Sequence, residues 1–344
     1  MSLTLRASDI DDMVIGTLDD LGSPDFEMVA QDLQEYPVMS NWLKSDKVTE
    51  QGGLGISRRL MDRTNGAAKH LGMYETDDVQ AGDHLREISA KWVHAETKWG
   101  YELREAMMNR GDALVTNILE PRRVAAMLDM AAELETKAWS CPSASNTTDP
   151  WGVPYWVVAN TVEGFTGTVG SDHTTKGGLD PDEVPKIKNY AFQYAAISRS
   201  DFIRKVRRMW KRIFFKSPIG SKSFNGPTGE DYRHYCGIEL ALDLEEWAED
   251  QNDNLGSDLL GKFEGSLTMN RNAVIRVPQL DADTTYPFYS INHRTFYPII
   301  LDGDNMRQTG PDPAPGMHNV RWVHYDLTYQ YFCVNPRGNG VATM

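Results

Sequence analysis

The sequence predicts an α+β fold, in which helices occupy the middle of the chain and strands close its end. Helical periodicity is clearest at residues 112–139, Ser200–Lys216 and Gly237–Asn254. Apolar and polar residues alternate in the last region, 266–344, and this spacing predicts strands. A long strand at the end of a chain pairs with strands much earlier in the sequence, so we expect many long-range contacts.

The composition indicates a large folded protein that is a poor default binder of nucleic acid. The 344 residues are 40% hydrophobic, which allows a sizeable core, and the net charge is −14. Cys141, Cys236 and Cys333 have neither metal-ligand nor disulfide spacing, which fits a reducing cytoplasm. Met1–Ile10 lacks a signal-peptide pattern and no stretch has the length of an apolar membrane helix, so no membrane partner is expected.

The first hundred residues are predicted to lie on other surfaces rather than to form a compact unit. Residues 1–50 are acidic and weakly patterned, with a short helix predicted at Asp9–Leu21. Residues 51–99 are punctuated by glycine, and such a long excursion is typical of an interface or a functional loop. The end of this stretch, Arg86–Lys98, has strand spacing, with Ile88, Ala90 and Trp92 on one face.

The strongest helix is predicted at residues 112–139. Asp112 is the predicted N-cap, Pro121 is predicted to kink the helix or to start a second segment, and Cys141-Pro142 ends it. A continuous helix would span about 40 Å at 1.5 Å per residue. Its predicted apolar stripe consists of Leu114, Ile118, Ala125, Leu128, Ala132 and Trp139.

Each of the two later helices has a predicted apolar face. In Ser200–Lys216, which Ser200 is predicted to cap, that face consists of Phe202, Val206, Met209, Trp210 and Ile213. In Gly237–Asn254 it consists of Leu240, Leu244 and Trp247.

Two segments of the last region alternate between apolar and polar residues. The first contains Leu267, Met269, Ala273, Ile275 and Val277 at apolar positions. In the final strand the predicted apolar face consists of Val323, Tyr325, Leu327, Tyr329, Tyr331 and Cys333. Its predicted polar face consists of His324, Asp326, Thr328 and Gln330.

No catalytic or cofactor-binding residue is predicted. The segment Gly164–Gly170 superficially resembles a phosphate loop, but it lacks a Lys-Ser/Thr pair and a following helix pattern. A flexible turn is therefore predicted there. No serine lies in a Gly-x-Ser-x-Gly turn, and the 49 acidic residues do not single out a catalytic pair.

No metal site is predicted either. The suggestive histidines are His173, which follows Asp172, and the pair His318 and His324, but a metal needs three or four convergent ligands. The segment Asp302–Asn305 resembles the start of a calcium loop and lacks the bidentate glutamate of such loops, so it is predicted to be an acidic turn.

One helix concentrates positive charge on a single face. The residues are Arg204, Lys205, Arg207, Arg208, Lys211, Arg212 and Lys216. A solvated helix face is the default interpretation of such a run. Between the two binding interpretations, an acidic partner surface, such as a neighbouring subunit, is favoured over DNA by the net charge of −14.

A series of short segments follows in a fixed order along the chain. They are Glu102-Leu103-Arg104, Asn109-Arg110-Gly111, Ile118-Leu119-Glu120 with Arg122-Arg123 and Ala126, Leu134-Glu135 with Trp139, Asp149–Val157, Phe263-Glu264-Gly265, Val274–Pro278, Leu280–Asp283, Tyr289–Asn292 and Tyr329–Val341. In this order the segments resemble the major capsid proteins of tailed bacteriophages that have the Hong Kong 97 type of fold. The resemblance covers about Lys98–Val341, whereas residues 1–97 match only in general character.

The resemblance implies a division of the chain into five parts. These are an N-terminal arm (1–50), an extended loop (51–99), a peripheral domain with a long spine helix (100–147), an axial domain (148–318), and the return strand of the peripheral domain with a C-terminal tail (319–344). The turn Asn335–Gly340 is expected to lead the tail out of the sheet towards a neighbouring subunit.

The resemblance also implies a function. It implies a structural protein without catalysis or cofactors that self-assembles, as hexamers and pentamers, into an icosahedral head around double-stranded DNA. Expected further partners are a portal protein, a decoration protein and a separate scaffolding protein, because the chain lacks a long helical extension ahead of the arm. Covalent cross-linking is not carried over, although Lys69 in the loop has a suitable position.

Two other functions stay open on the residues alone. One is a soluble enzyme, such as a hydrolase, whose site has no sequence signature. The other is a DNA-binding protein that uses the basic face Arg204–Lys216.

Overall fold

The computed structural model describes residues 37–38, 42–43, 49–63, 68–73, 84–108, 112–214, 232–250, 268–270 and 272–344. The predicted helix Asp9–Leu21 and most of the predicted arm lie outside these residues. Among the helices of the described ranges, none is long and apolar enough to cross a membrane.

Strands make up most of the regular structure of the described residues. The strands are β1 (Thr49–Gln51), β2 (Ile56–Met61), β3 (Leu85–Ala90), β4 (Val93–Glu102), β5 (Gly164–Gly167), β6 (Asn189–Gln193), β7 (Tyr232–Cys236), β8 (Thr268–Met269), β9 (Asn272–Arg276), β10 (Phe288–Asn292), β11 (Phe296–Leu301), β12 (Arg307–Ala314), β13 (Met317–Cys333) and β14 (Gly340–Thr343). The α-helices are α1 (Leu103–Met108), α2 (Asp112–Ala138), α3 (Val153–Trp156), α4 (Phe202–Ile213) and α5 (Ile238–Asp250).

The first sheet is organised by the long strand β13. Its order is β1-β11-β13-β12, and β4 also pairs with β13. Strand β4 runs antiparallel to β13 from the pair Val93↔Tyr329 to the pair Glu102↔Val320. The prediction that the final strand pairs far back along the chain is therefore confirmed. The predicted boundary between residues 318 and 319 falls inside β13, and β11 and β12 belong to this first sheet.

The apolar face predicted for β13 is confirmed from Val323 to Cys333, since all six predicted residues are buried. The opposite face departs from the prediction at Gln330, which is also buried. Its amide oxygen accepts hydrogen bonds from the backbone N–H groups of Trp151 and Tyr331, and its amide nitrogen donates to the carbonyl of Lys91. These bonds satisfy the buried amide, so burial costs little there.

The second sheet has seven strands in the order β5-β6-β14-β10-β7-β9-β8. Its strand β14 comes from the end of the chain and pairs in parallel with β6 and antiparallel with β10. Asn335–Gly340 therefore leads the chain out of the first sheet, as expected, but into the second sheet of the same chain rather than towards a neighbouring subunit. Because the chain turns through a short 3₁₀ segment, Pro336–Gly338, it re-enters the molecule as an interior strand in which Val341 and Ala342 are buried.

Helix α2 runs without a break from Asp112 to Ala138, so Pro121 lies inside one continuous helix. The side chains of residues 112–121 lie outside the described ones. The predicted apolar stripe is wrong at Ala125 and Leu128, which are exposed. The buried face is displaced around the helix axis and consists of Arg123, Ala126, Met127, Met130, Ala131, Leu134, Glu135 and Ala138.

Both later helices pack on the second sheet, and they do so through the predicted apolar faces, of which Trp210 and Trp247 are only half-buried. Helix α4 buries Phe202, Val206, Met209 and Ile213, and α5 buries Leu240 and Leu244. They share one apolar cluster, which they form with side chains of β6, β7, β10 and β14. The predicted cap is wrong by one position, because Asp201 is the N-cap of α4.

Strands β2 and β3 form a separate two-stranded hairpin, from the pair Ile56↔Ala90 to the pair Met61↔Leu85. The strand spacing predicted at Arg86–Lys98 is confirmed, with an interruption at Lys91 and Trp92 that separates β3 from β4. We call residues 52–90 the extended hairpin. Within it, residues 64–67 and 74–83 lie outside the described ones.

Candidate functional site

The segment that precedes the extended hairpin is fixed by Trp42, which is buried where the two sheets meet. Its indole N–H donates a 2.8 Å hydrogen bond to the hydroxyl of Tyr235, in β7 of the second sheet. Five aromatic rings surround the indole at centroid distances between 5.1 and 6.0 Å. These rings belong to Trp139, Tyr235, His293, Phe296 and Tyr331. We call this group the junction core.

A buried carboxylate holds the same segment to helix α2. One oxygen of Glu135 accepts a 2.8 Å hydrogen bond from the backbone N–H of Val38, and the other accepts a 3.0 Å bond from the indole of Trp139. Glu135 has no exposed surface. Because each oxygen of this buried carboxyl group accepts a hydrogen bond from a different segment, Glu135 fixes where the N-terminal segment meets α2.

The extended hairpin presents large apolar side chains to solvent. They are Leu54, Met61, Leu71, Met73 and Leu85. The base of the hairpin is fixed to the rest of the molecule, since the N–H of Ser89 donates to the carbonyl of Gly177 at 2.9 Å. A Cβ atom at Gly177 would lie 2.4 Å from Ile88, which explains the glycine at that position. Several exposed large apolar side chains on one hairpin with a fixed base favour its interpretation as a protein-binding surface.

The basic face predicted on α4 divides into two parts. Lys205, Arg208 and Arg212 are engaged within the chain, by Asp201, by Glu163 and by the ring of Tyr190 respectively. Arg204, Arg207 and Lys211 form an exposed stripe along the outer side of the helix. Among the described residues these three have no ion-pair partner. Lys216, the last predicted member, lies outside the described residues.

Helix α5 carries the opposite charge. Glu239, Asp243 and Glu246 are exposed and lie at i, i+4 and i+7, so they share one side of the helix. They line a groove of about 420 Å³ whose other walls are mostly apolar. Those walls are formed by Tyr194, Ile197, Leu240, Trp247, Tyr286 and Met344.

A cluster of ionisable groups on the first sheet was not predicted from the sequence. His94, Glu96 and Asp326 bring one potential ligand atom each within 4.8 Å of one another. The signal was not visible in the sequence because it depends on the register of β4 against β13, in which Glu96 is opposite Asp326. Arg307 already contacts Asp326 at 3.3 Å and Asp304 at 2.9 Å. Its guanidinium supplies the positive charge that a metal ion would otherwise contribute, so we interpret the cluster as an ion-pair network.

The histidines singled out in the sequence do not converge. His318 is exposed near the start of β13, and His324 lies 3.6 Å from Glu96. Six residues of extended strand separate the two histidines, about 20 Å at 3.3 Å per residue. His173 is placed elsewhere, where its Nε2 is 2.9 Å from the carbonyl oxygen of Pro142.

The acidic segment Asp302–Asn305 is a turn, as predicted. It is tied to β13, because the N–H of Thr328 donates to the carbonyl of Asp304 at 3.2 Å and its hydroxyl donates to the Asp304 carboxylate. Lys69 is exposed in the extended hairpin.

The glycine segment Gly164–Gly170 was predicted to be a flexible turn, and this is wrong for its first half. Gly164–Gly167 is strand β5, which pairs with β6. A Cβ atom at Gly167 would lie 2.2 Å from the side-chain oxygen of Asn189. Glycine is therefore required there for close packing of backbone against Asn189, not for phosphate binding.

Among the described residues, Lys176 combines complete burial with a strongly shifted pKa. Burial lowers the pKa of its amine from 10.5 to about 7. The amine donates to the carbonyl of Gly167 at 3.3 Å and to the side-chain oxygen of Asn189 at 3.1 Å. Perturbed amines are common in active sites, but Lys176 has no exposed surface that a substrate could reach. We interpret it as a structural donor that links β5 to β6.

The cysteine thiols are poor nucleophiles. Burial raises the pKa of Cys141 to about 11 and the pKa values of Cys236 and Cys333 to about 12. Because the thiolate is the reactive form, these thiols are essentially unreactive at neutral pH. All three are free.

Comparison with solved structures identifies the fold. A chain of the cyanophage A-1(L) capsid asymmetric unit superposes with a TM-score of 0.62 at 11% identity, covering 90% of this chain and 92% of that chain. A capsid chain of a native GTA particle gives a TM-score of 0.55 at 10% identity, covering 86% and 87%. A chain of the bacteriophage PhiM1 mature capsid gives 0.50 at 8% identity, covering 88% and 87%.

At these identities the comparison shows the fold. The predicted resemblance is confirmed at that level, since the chain has the mixed α/β fold of phage capsid proteins along nearly its whole length. No protein-family model matches the chain, and no curated protein matches it.

Proposed function

We propose that this chain is the major capsid protein of a tailed bacteriophage, which self-assembles into the icosahedral head and encloses double-stranded DNA. The observation that carries the proposal is the match of 90% of the chain to the cyanophage A-1(L) capsid subunit, at almost the full length of both. The role is structural and the protein is a component of the virion, assembled in the cytoplasm of the host bacterium.

We assign the parts of the chain accordingly. Residues 1–50 are the arm, and 51–99 are the extended loop. Residues 100–147, with α2 as the spine helix, form the peripheral domain together with the return strand in 319–344, and residues 148–318, with α4 and α5, form the axial domain. The presence of two sheets supports two domains, but the sheets cross these bounds: β11 and β12 of the first sheet lie within 148–318, and β14 of the second lies within 319–344.

The exposed side chains of the extended hairpin support a role in assembly. Leu54 and Met73 are almost fully exposed. Burial of apolar surface is favourable by about 25 cal/mol per Å² relative to its exposure to water. Obligate interfaces bury about 2,000–5,000 Å². A hairpin that lies across a neighbouring subunit would bury these side chains, which its own chain leaves in solvent.

The proposed partners are those that the icosahedral head of a tailed bacteriophage requires. The chain contacts itself in hexamers and pentamers, a portal protein at one vertex, and a separate scaffolding protein during assembly. A decoration protein is a further candidate. Packaged DNA is held without sequence-specific contacts, and the net charge of −14 limits its adhesion to the inner wall.

The competing functions have less support. A catalytic acid or base with a shifted pKa must be accessible to substrate. Lys176 and His234, whose pKa values are strongly lowered, are buried. A DNA-binding protein needs a basic surface, and the exposed stripe of Arg204, Arg207 and Lys211 lies on the same sheet as the acidic groove of α5.

Electron microscopy of the overexpressed 38.8 kDa chain, expressed alone and together with its scaffolding protein, tests the proposal. The expected result is rings of five or six copies or closed shells. Light scattering that gives a compact monomer at every concentration, with and without the scaffolding protein, would contradict it.

A further inference from the structure

The two charged helices of the second sheet have complementary spacings. On α4 the exposed basic residues Arg204, Arg207 and Lys211 are separated by three and then four residues. On α5 the acidic residues, read backwards from Glu246 through Asp243 to Glu239, are also separated by three and then four. Two antiparallel helices would therefore place three basic groups against three acidic groups in register.

Both stripes have the same length. Each covers eight residues, and the seven steps between the first and the last amount to about 10 Å at 1.5 Å per residue. The acidic stripe borders a groove with apolar walls, among them Trp247 and Tyr286, so a seated helix would also contact apolar surface. Side chains three or four residues apart lie on one face of a helix, so all three pairs can form at once.

Within one chain, the basic stripe of α4 and the acidic stripe of α5 form no ion pairs with each other among the described residues. Both helices pack on the same apolar cluster of the second sheet, yet within the described part of the chain none of the six residues has an ion-pair partner. The other basic residues of α4 do have partners in the chain: Arg208 lies 2.6 Å from Glu163 and Lys205 lies 2.5 Å from Asp201. Within the described part of the chain, each stripe is therefore left without an ion pair of its own, while Lys205 and Arg208 beside the basic stripe are neutralised.

We propose that α4 of one copy of the chain seats antiparallel on the acidic groove of α5 of a second copy. The pairs are Arg204 with Glu246, Arg207 with Asp243, and Lys211 with Glu239. The inference rests on the proposed function and adds the residues of one contact between subunits. Because the two surfaces are different, the contact is compatible with the head-to-tail arrangement that closes rings.

The charge pattern favours this occupant over nucleic acid. DNA would neutralise the basic stripe of α4 but would be repelled by Glu239, Asp243 and Glu246 on the neighbouring helix. A second copy satisfies both stripes together, and complementary charges also fix the register of a contact and exclude wrong partners.

Charge exchange at the central pair tests the proposal in the full-length chain. Arg207→Asp and Asp243→Arg each place like charges opposite one another and are expected to raise the protein concentration at half-assembly by about tenfold. The matched double variant Arg207→Asp/Asp243→Arg is expected to return it to within about twofold of the parent. Assembly is followed by light scattering and electron microscopy, and folding by circular dichroism.

The mismatched double variant Arg207→Asp/Glu239→Arg is the control, because it changes the net charge as the matched variant does but leaves the proposed pairs unsatisfied. Equal assembly of the two double variants would overturn the inference. If a charge reversal prevents folding, the neutral pair Arg207→Gln and Asp243→Asn replaces it, and additive effects in that double-mutant cycle would also overturn the contact.

The outcome separates this inference from the proposed function. A parent chain that assembles while both single reversals leave assembly unchanged refutes the contact alone. A parent chain that never associates refutes the capsid function and the contact with it. Loss of random-duplex binding in Arg207→Asp with assembly unchanged would assign the basic stripe to DNA instead.

Discussion

The junction core and the extended hairpin both carry large apolar side chains, but they place them in opposite environments. In the junction core, Trp42 is enclosed by rings that belong to both sheets. In the extended hairpin, Leu54 and Met73 are in solvent. Burial of apolar side chains in the junction core stabilises the subunit. The exposed side chains of the hairpin contribute such stability only when another surface covers them. Val38 and Trp42 precede the hairpin along the chain.

The largest change in subunit stability is expected from Trp42→Ala. Removal of the indole from a fully enclosed site costs about 3–5 kcal/mol, because it loses buried area and leaves a cavity. Urea unfolding of the unassembled subunit measures the free energy. Trp92→Ala is the matched control, since Trp92 is only half-buried at the base of the hairpin and its indole bonds the carbonyl of Gly53. An equal loss in both variants would remove the distinction between the two regions.

A smaller loss is expected from Glu135→Gln, which keeps the shape of the side chain. A neutral amide has one oxygen, so one of the two donors, the N–H of Val38 or the indole of Trp139, loses its acceptor. A buried donor without a partner costs about 1–3 kcal/mol. The same urea titration measures this change. Hydrogen exchange at Val38 faster than in the parent would identify the lost bond, and an unchanged unfolding midpoint would show that Glu135 does not hold the segment.

A still smaller effect is expected from the titration of Lys176. Its folded-state pKa of about 7 is below the ordinary 10.5, so between these values the unfolded chain binds more protons than the folded one. The free energy of unfolding therefore rises with pH, by about 1 kcal/mol from pH 7 to pH 8. In Lys176→Met this contribution should vanish. The pH dependence of the difference between parent and variant is the measurement, and parallel curves would contradict the assigned pKa.

The elements with strong local patterns were predictable from sequence. Burial alternates along β13 from Val323 to Tyr329, and Phe202, Val206 and Met209 give α4 a clear helical stripe. Helix α2 was located correctly but its face was not, since Leu128 is apolar and exposed. Periodicity alone does not say which of two adjacent apolar stripes meets the sheet.

The features that depend on long-range pairing could not be predicted. The junction core brings Trp42 together with residues that lie between about one hundred and three hundred positions away, such as Trp139 and Tyr331, and no local pattern encodes it. The return of β14 into the second sheet was missed for the same reason. Gly340 allows it, because a Cβ atom there would lie 2.3 Å from the sulfur of Met209, a contact visible only in three dimensions.

The smallest effect on stability, and the largest on assembly, is expected from deletion of Gly66–Gly82 in the extended hairpin. Met61 and Leu85 are paired across the hairpin, so a short connection can still close it and the junction core is untouched. The deletion removes Leu71 and Met73, two of the exposed side chains assigned to a neighbouring subunit. Unfolding by urea should match the parent within about 0.5 kcal/mol, as for surface changes generally. Electron microscopy should show no shells, and intact shells from the deleted chain would mean that the hairpin is not an assembly surface.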